Sequence, residues 1–324
     1  MSKAVGLDIG HSAVKVSVKG KTFQFPTAVR PAATINDEAE AARAAHETIE
    51  VANKKYFIGE TAIIQGAQLI GLSENWIETP EHTALMKAGM KKAIEAGAPR
   101  DAIVVMGLPA HLFGRQKTRL KELAEQHLGT EVLVMSQPFG PFNHLMLDER
   151  GVVNNTESLV GQSWAVIEIG FFTTDFALIQ RNRWTEEASG SCAGVRIAAQ
   201  LLQRALAEER GISADLVECD EAIRTRCIRD FGRTLDVGSE VDRAVSVLAG
   251  EVSDTAARLL ESHARRLDGI VVAGGGAPLL RDHLAARWGN VVLAENSRYS
   301  VAEGMRRFGE LKMIVRAADS TVAA

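Results

Sequence analysis

An apolar strand that ends in an acidic residue, followed by x-Gly and then a second strand, occurs twice in this chain. The first copy is residues 4–9 with Asp8 and Gly10, answered by the alternating Val14, Val16 and Val18. The second is residues 164–169 with Glu168 and Gly170, answered by residues 176–179. Period-two alternation marks a strand, and a tight turn between two such runs makes a hairpin. A repeat of this kind at the head of each half implies duplicated lobes. The 324 residues leave room for two domains, because single cores stop growing near about 250–300 residues.

Around the two hairpins, strands alternate with helices, which implies an α/β fold. Residues 22–25 extend the first hairpin, and Pro26 and Pro31 end it. Residues 38–46 read as loop or short helix, and 49–51 with 55–58 as another hairpin. Helices are expected over 81–96 and 115–128, with strands at 102–106 and 132–135. The polar stretch 151–162 marks a domain boundary. Beyond it, helices are expected over 195–210, 220–231, 239–266, 279–288 and 301–308, with strands at 269–273 and 291–293. The last residues, AADSTVAA, read as a frayed tail.

Three segments carry chemistry. In Asp8-Ile9-Gly10-His11-Ser12-Ala13-Val14-Lys15, a tight turn after a strand presents backbone N–H groups into a concavity that suits anionic oxygens. Asp8 would be repelled by a phosphate, so its role there is to hold Mg²⁺ through water. Ser12 offers a hydroxyl and Lys15 a countercharge; an ordinary hairpin with a surface Asp is the competing reading. In Glu168-Ile-Gly170-Phe171-Phe172-Thr173-Thr174-Asp175, the Thr hydroxyls and loop amides could clasp a terminal phosphate while Asp175 fixes the loop; a Thr-rich turn is the alternative. In Val271-Val-Ala-Gly274-Gly275-Gly276-Ala-Pro278, three glycines between a strand and a helix bring backbone against a flat ligand or a phosphate. That run lacks the spacing and early position of a dinucleotide fingerprint, and a Walker A loop is absent throughout.

Together and in this order, the three segments resemble the phosphate-1, phosphate-2 and adenosine motifs of the actin, heat-shock chaperone and sugar kinase superfamily. Within it, the chain resembles the plasmid-segregation actins of the ParM/StbA type. The resemblance is carried by Phe25-Pro26-Thr27-Ala28-Val29, by Val104-Val-Met-Gly-Leu-Pro109, by Val134-Met-Ser-Gln137-Pro138, and by Asn296-Ser-Arg-Tyr299 with Gly304-Met305. It implies an actin-like fold of two similar lobes, each with a mixed five-stranded sheet flanked by helices, and a nucleotide cleft between them. The expected division is 1–160 for lobe I, with a small insertion at about 30–80, and 161–300 for lobe II. Residues 301–324 form a C-terminal helix returning to lobe I plus the tail.

The resemblance also implies roles. Asp8 and Glu168 hold hydrated Mg²⁺. Gly10, His11, Ser12 and Ala13 cradle the β-phosphate of ATP with Lys15 nearby. Gly170, Thr173 and Thr174 take the γ-phosphate, with Asp175 bracing their loop. Gln137 orients the attacking water, Gly194 lies near the ribose, and Gly274, Gly275 and Gly276 face the adenine. Asp8, Glu168 and Gln137 are the expected catalytic set. Two features depart from the pattern: Glu168 stands where Asp is usual, and Phe171 and Phe172 replace small residues. The ring of His11 reads as exposed.

The implied activity is a slow, polymerisation-coupled ATPase that forms head-to-tail filaments for plasmid segregation through a separate DNA-binding adaptor. The alternatives are a small-molecule kinase or a nucleotide-gated accessory protein on the same fold. A net charge of −4, with no block of Lys and Arg, argues against direct nucleic-acid binding. Three cysteines without a C-x-x-C pair indicate neither a disulfide framework nor a zinc site. No apolar run is long enough to cross a bilayer, so no membrane contact and a cytoplasmic location are expected.

Overall fold

The computed structural model describes residues 3–67, 75–154 and 161–322. The polar boundary region falls partly outside them, at residues 155–160. The chain divides into two compact units, Met1–Thr156 with Tyr299–Ala324, and Glu157–Arg298.

In the first unit, β1 (Ala4–Ile9), β2 (Ala13–Val18) and β3 (Lys21–Pro26) form an antiparallel meander. An insertion follows, in which β4 (Val29–Pro31), β5 (Thr48–Val51) and β6 (Lys54–Ile58) make a separate small sheet in the order β4-β6-β5. The Glu38–His46 helix lies within this insertion, started by Asp37, whose carboxylate accepts the Glu40 amide at 2.8 Å. Then β7 (Ile103–Leu108) and β8 (Val132–Ser136) join the meander in parallel, completing a mixed sheet in the order β3-β2-β1-β7-β8.

Strand β1 is central, which is why it reads as an unbroken apolar run rather than an alternating one. The Pro80–Glu95 helix packs against it, and so does the Ser300–Val322 helix, which arrives from the far end of the sequence. The second contact explains Gly6: a side chain there would overlap the backbone of Ala302 and Arg306. The Phe139–Met146 helix crosses the same C-terminal helix where Gly140 and Gly304 meet backbone to backbone.

The buried end of that helix carries charge. Arg306 is fully buried, pairs with Glu303 at 2.6 Å and donates to the carbonyl of Glu149 at 2.9 Å. Glu303 also accepts from Arg307 at 2.9 Å and from the Ser17 hydroxyl on β2. Burial raises the Glu303 pKa, but the hydrogen bonds and charges of Arg306, with Ser17 and Arg307, outweigh it and bring the pKa down to about 2.

The second unit repeats the plan. Strand β9 (Ser163–Ile169) pairs antiparallel with β10 (Thr173–Gln180). The other edge of β10 is shared by β11 (Arg183–Trp184) and β12 (Gly190–Ala193). A two-stranded hairpin, β13 (Cys227–Asp230) and β14 (Arg233–Asp236), stands apart. Strand β15 (Gly269–Ala273) runs parallel to β9, and β16 (Val291–Leu293) parallel to β15. The sheet therefore has the five strands expected along β11-β10-β9-β15-β16, with β12 as a sixth on β10. Ile167, Ile169, Phe176 and Leu178 from the sheet join Leu202, Leu248 and Leu280 from the helices in one apolar core. Each such side chain stabilises the fold by about 1.5–3 kcal/mol.

Three sequence expectations need correction, and one helix was not expected. The helix expected from 115 spans Ala110–Leu128, because Pro109 supplies its N-terminal cap position. A helix, Phe139–Met146, begins directly after Pro138. The helix expected over 220–231 is Leu216–Thr225; a capping box of Asp215 with Glu218 starts it, left-handed Arg226 ends it, and the hairpin follows. The segment read as a frayed tail continues the last helix to Val322.

Candidate functional site

Each unit builds its own set of polar groups at the end of its central hairpin. In the first unit, Asp8 lies at the end of β1, 2% exposed. The Gly10 amide donates to the Ala13 carbonyl at 3.2 Å and closes the turn. Thr27, to which the sequence alone assigns no role, holds both ends of this loop. Its hydroxyl donates to the Gly10 carbonyl at 2.6 Å and its amide to the Ser12 carbonyl at 3.1 Å. The available signal was the Phe25-Pro26-Thr27 segment, since β3 pairs Pro26 with Ala13.

Both oxygens of Asp8 are engaged. Lys15 is its direct cross-strand partner on β2 and lies 3.1 Å from Oδ2. Gln137 donates through Nε2 to Oδ1 at 2.8 Å. Since a carboxylate only accepts, this contact fixes which end of the amide faces Asp8 and leaves Oε1 of Gln137 as the acceptor end. The backbone of Gln137 is held twice, its amide donating to Leu108 and its carbonyl accepting from Gly140, both at 2.8 Å. A side chain at Gly107 would overlap the Gln137 side chain, so that glycine makes its space. Lys15 is thus committed to Asp8, and His11 is half-buried rather than exposed.

In the second unit, Glu168 closes β9 at 7% exposed, and the Gly170 amide donates to the Thr173 carbonyl at 2.9 Å, the same turn as in the first hairpin. The latch differs. Three consecutive amides, Gly194, Val195 and Arg196, donate to the carbonyls of Phe172, Gly170 and Phe171 at 2.8, 3.0 and 2.7 Å. They precede and open the Arg196–Arg210 helix, so its N-terminal donors are already used by the loop. Gly194 lies directly beneath the loop, where a side chain would overlap the Gly170 and Phe171 carbonyls. Phe171 packs on the core, edge-on to Phe172 at 5.5 Å, and the Arg196 guanidinium lies 4.7 Å over the Phe172 ring. The two rings therefore belong to the loop's support.

The two threonines face different ways. Thr173 donates to Asp175 at 3.3 Å, whereas Thr174 is fully buried with its hydroxyl on the Ala193 carbonyl at 3.0 Å. Asp175 is fully buried, directly across the sheet from Glu168, and its Oδ1 has no hydrogen-bond partner. Burial pushes its pKa up to about 7, against the weaker opposing bond from Thr173. The native state therefore holds a proton that the unfolded chain has released, and stability falls as pH rises from about 4 to about 7. Asp175→Asn is expected to raise the melting temperature of the nucleotide-free protein, little near pH 5 and by roughly 5 °C or more near pH 8. A melting-temperature difference that does not grow with pH would count against this assignment.

The glycine loop closes against the second hairpin. Gly274 has φ +88°, and a side chain there would overlap Ile169 and the Glu168 carboxylate. The Gly276 amide donates to the Ile169 carbonyl at 2.9 Å. Gly275 is the open member. Arg224 donates to its carbonyl at 2.9 Å and is itself held by Asp220 one helical turn earlier at 2.8 Å. The i, i+4 spacing of Asp220 and Arg224 was the available signal. Burial pushes the Cys192 thiol up to about 11, so it is no nucleophile. Among the described residues, no group of three or more His, Cys, Asp or Glu side chains could hold a metal ion by itself.

Residues 6–139 match the family model of the N-terminal domain of actin-like proteins, and residues 166–286 that of the C-terminal domain of MreB-like archaeal actin homologues. No curated protein sequence matches the chain. Among solved structures, a 15-stranded ParM filament from Clostridium botulinum superposes with a TM-score of 0.77 at 20% identity, covering 96% of this chain and 99% of that one. The archaeal actin homologue Ta0583 in complex with ADP gives 0.73 at 19%, covering 94% and 97%. The actin-like protein Alp7A gives 0.74 at 14%, covering 99% of both chains. At these identities the likeness is one of fold.

Proposed function

Because its two halves match actin-like domains, the chain belongs to the actin-like proteins, and we propose that it is a slow ATPase that assembles head to tail into filaments, of the ParM kind that segregates plasmid DNA. The observation that carries this reading is the buried Asp8 carboxylate held between Lys15 and Gln137 at the mouth of a latched amide turn. A second latched turn of the same geometry, with an acidic residue at the same position, supports it. So do the ADP complex and the filament among the solved structures of this fold.

The residues present fit a magnesium nucleotide. Asp8 has both oxygens in hydrogen bonds, which suits holding a hydrated ion through water rather than binding it directly. Bound ATP supplies the transferable phosphoryl group, with the metal neutralising its charge. Gly10 closes the turn, His11, Ser12 and Ala13 offer its amides to one phosphate, and Lys15 offers its ammonium while remaining tied to Asp8. Gly170 and Thr173 offer their loop to another. Thr174 and Gly194 build that loop from behind. Gly275, with Arg224 behind it, is the exposed face of the glycine loop and the one that suits the base. Oε1 of Gln137 accepts a hydrogen bond from the attacking water. Movement of DNA is assigned to a separate adaptor, since the sequence has a net charge of −4 and no block of Lys and Arg.

The test is ATP binding and single-turnover phosphate release with Mg²⁺, with sedimentation of assembled protein in the same samples. Concentration-dependent pelleting with ATP is expected. Binding without assembly at any protein concentration would overturn the filament half of the proposal, and absence of binding would overturn all of it.

A further inference from the structure

The β13–β14 hairpin turns at Phe231-Gly232, with φ +43° and +81°. A two-residue turn with both central residues left-handed favours Asn-Gly or Asp-Gly. A phenylalanine there strains the backbone. Its ring gains nothing in return within the chain: Phe231 is 99% exposed, the most exposed of the large apolar side chains among the described residues. The strands either side of the tip end in a cross-strand pair, Asp230 with Arg233.

On the first unit, a groove of about 430 Å³ lies between the Glu38–His46 helix and the β5–β6 hairpin. Ala32, Ile35, Ala41, Ala45 and Phe57 line it, a small-residue wall with a ring at its base. Its rim carries another cross-strand pair, Glu50 with Lys55. Among the described residues, none of these four charged side chains has an ion-pair partner. The two pairs are complementary, Asp230 to Lys55 and Arg233 to Glu50.

We propose that the β13–β14 tip of one copy seats Phe231 in this groove of a second copy, with Asp230 meeting Lys55 and Arg233 meeting Glu50. Knob and groove are different surfaces, so the contact is heterologous and each copy keeps one of each to offer, which propagates an open chain wherever the rotation between copies does not close a ring. A buried aromatic at the centre with charged side chains at the rim is the usual layout of a protein interface. The proposal rests on the self-assembling reading above and names its surface.

A photo-crosslinking benzophenone amino acid in place of Phe231 tests the contact directly. After irradiation with Mg-ATP present, crosslinks between chains are expected on residues 32–57. Crosslinks within one chain, crosslinks elsewhere, or none would overturn it. Sedimentation of the unaltered protein is read separately: crosslinked pairs without pelleting keep the contact and reject the filament. In pelleting protein, Phe231→Ser is expected to raise the critical concentration about tenfold or more, with an unchanged melting temperature. Asp230→Lys or Lys55→Asp alone is expected to raise it too, and the pair together to restore it. Singles without effect, or a double no better than the singles, would overturn the pairing.

Discussion

Gln137→Ala lowers single-turnover phosphate release by about 100-fold, the order of loss expected when an attacking water is no longer positioned, and leaves nucleotide affinity within a few-fold of the parent. The reasoning is geometric. The amide nitrogen of Gln137 is committed to Asp8 at 2.8 Å, and its backbone is pinned at both its N–H and its carbonyl. One atom, Oε1, is left to hold a water, and alanine removes it without touching the turn amides. Gln137→Glu separates positioning from charge. It places two carboxyl groups at hydrogen-bond distance, so one of them must hold a proton and hydrolysis becomes steeply pH-dependent near neutrality. A rate for the alanine variant close to the parent rate would remove Gln137 from the proposed reaction while leaving nucleotide binding intact.

Glu303→Ala destabilises the first unit by about 3–5 kcal/mol, because it leaves the fully buried Arg306 guanidinium facing one carbonyl and no carboxylate. The Ser17 hydroxyl loses its acceptor at the same time. The same group makes the unit acid-sensitive. With its pKa held down to about 2, Glu303 contributes stability that is fully present above its unfolded value near 4.5 and is lost as pH falls from there toward 2. Urea titrations at neutral pH and near pH 3 measure both effects. The variant should be less sensitive than the parent over that acid window. Replacing both partners, Glu303→Leu with Arg306→Met, should recover much of the loss, since a buried pair replaced by apolar groups of similar volume is often neutral. If Glu303→Ala is as stable as the parent, the C-terminal helix is not anchored through this pair.

The two hairpins were legible in the sequence because each is local. A strand, a glycine turn and a returning strand lie within about a dozen residues, and their periodicity survives in any context. The same holds for the glycine loop, whose three glycines have unequal duties that only packing reveals. Gly274 and Gly276 are required by Ile169 and Glu168, and Gly275 is the open one. Thr173 and Thr174 look equivalent in the sequence, yet strand pleating turns one toward Asp175 and the other into the core. The β13–β14 hairpin was hidden because Arg226 and Phe231 adopt left-handed backbone where Gly, Asn or Asp is usual, which leaves Gly232 as a lone turn signal. The last helix was read as too short because polar, Ala-rich residues look alike in a tail and on a solvated helix.

By itself, then, the sequence determined the α/β class, the duplicated acid-x-Gly hairpins, and the order of the three glycine-bearing segments proposed to hold a nucleotide. Each of these depends on residues close together in the chain. Only the tertiary structure decided that Gln137 reaches Asp8 across 129 residues, that Thr27 latches one turn and a helix start the other, and that Glu303 ties the C-terminal helix to β2. Those contacts join segments whose separation leaves no periodic trace, because their energy comes from burial and hydrogen-bond completion at a distance rather than from local preference.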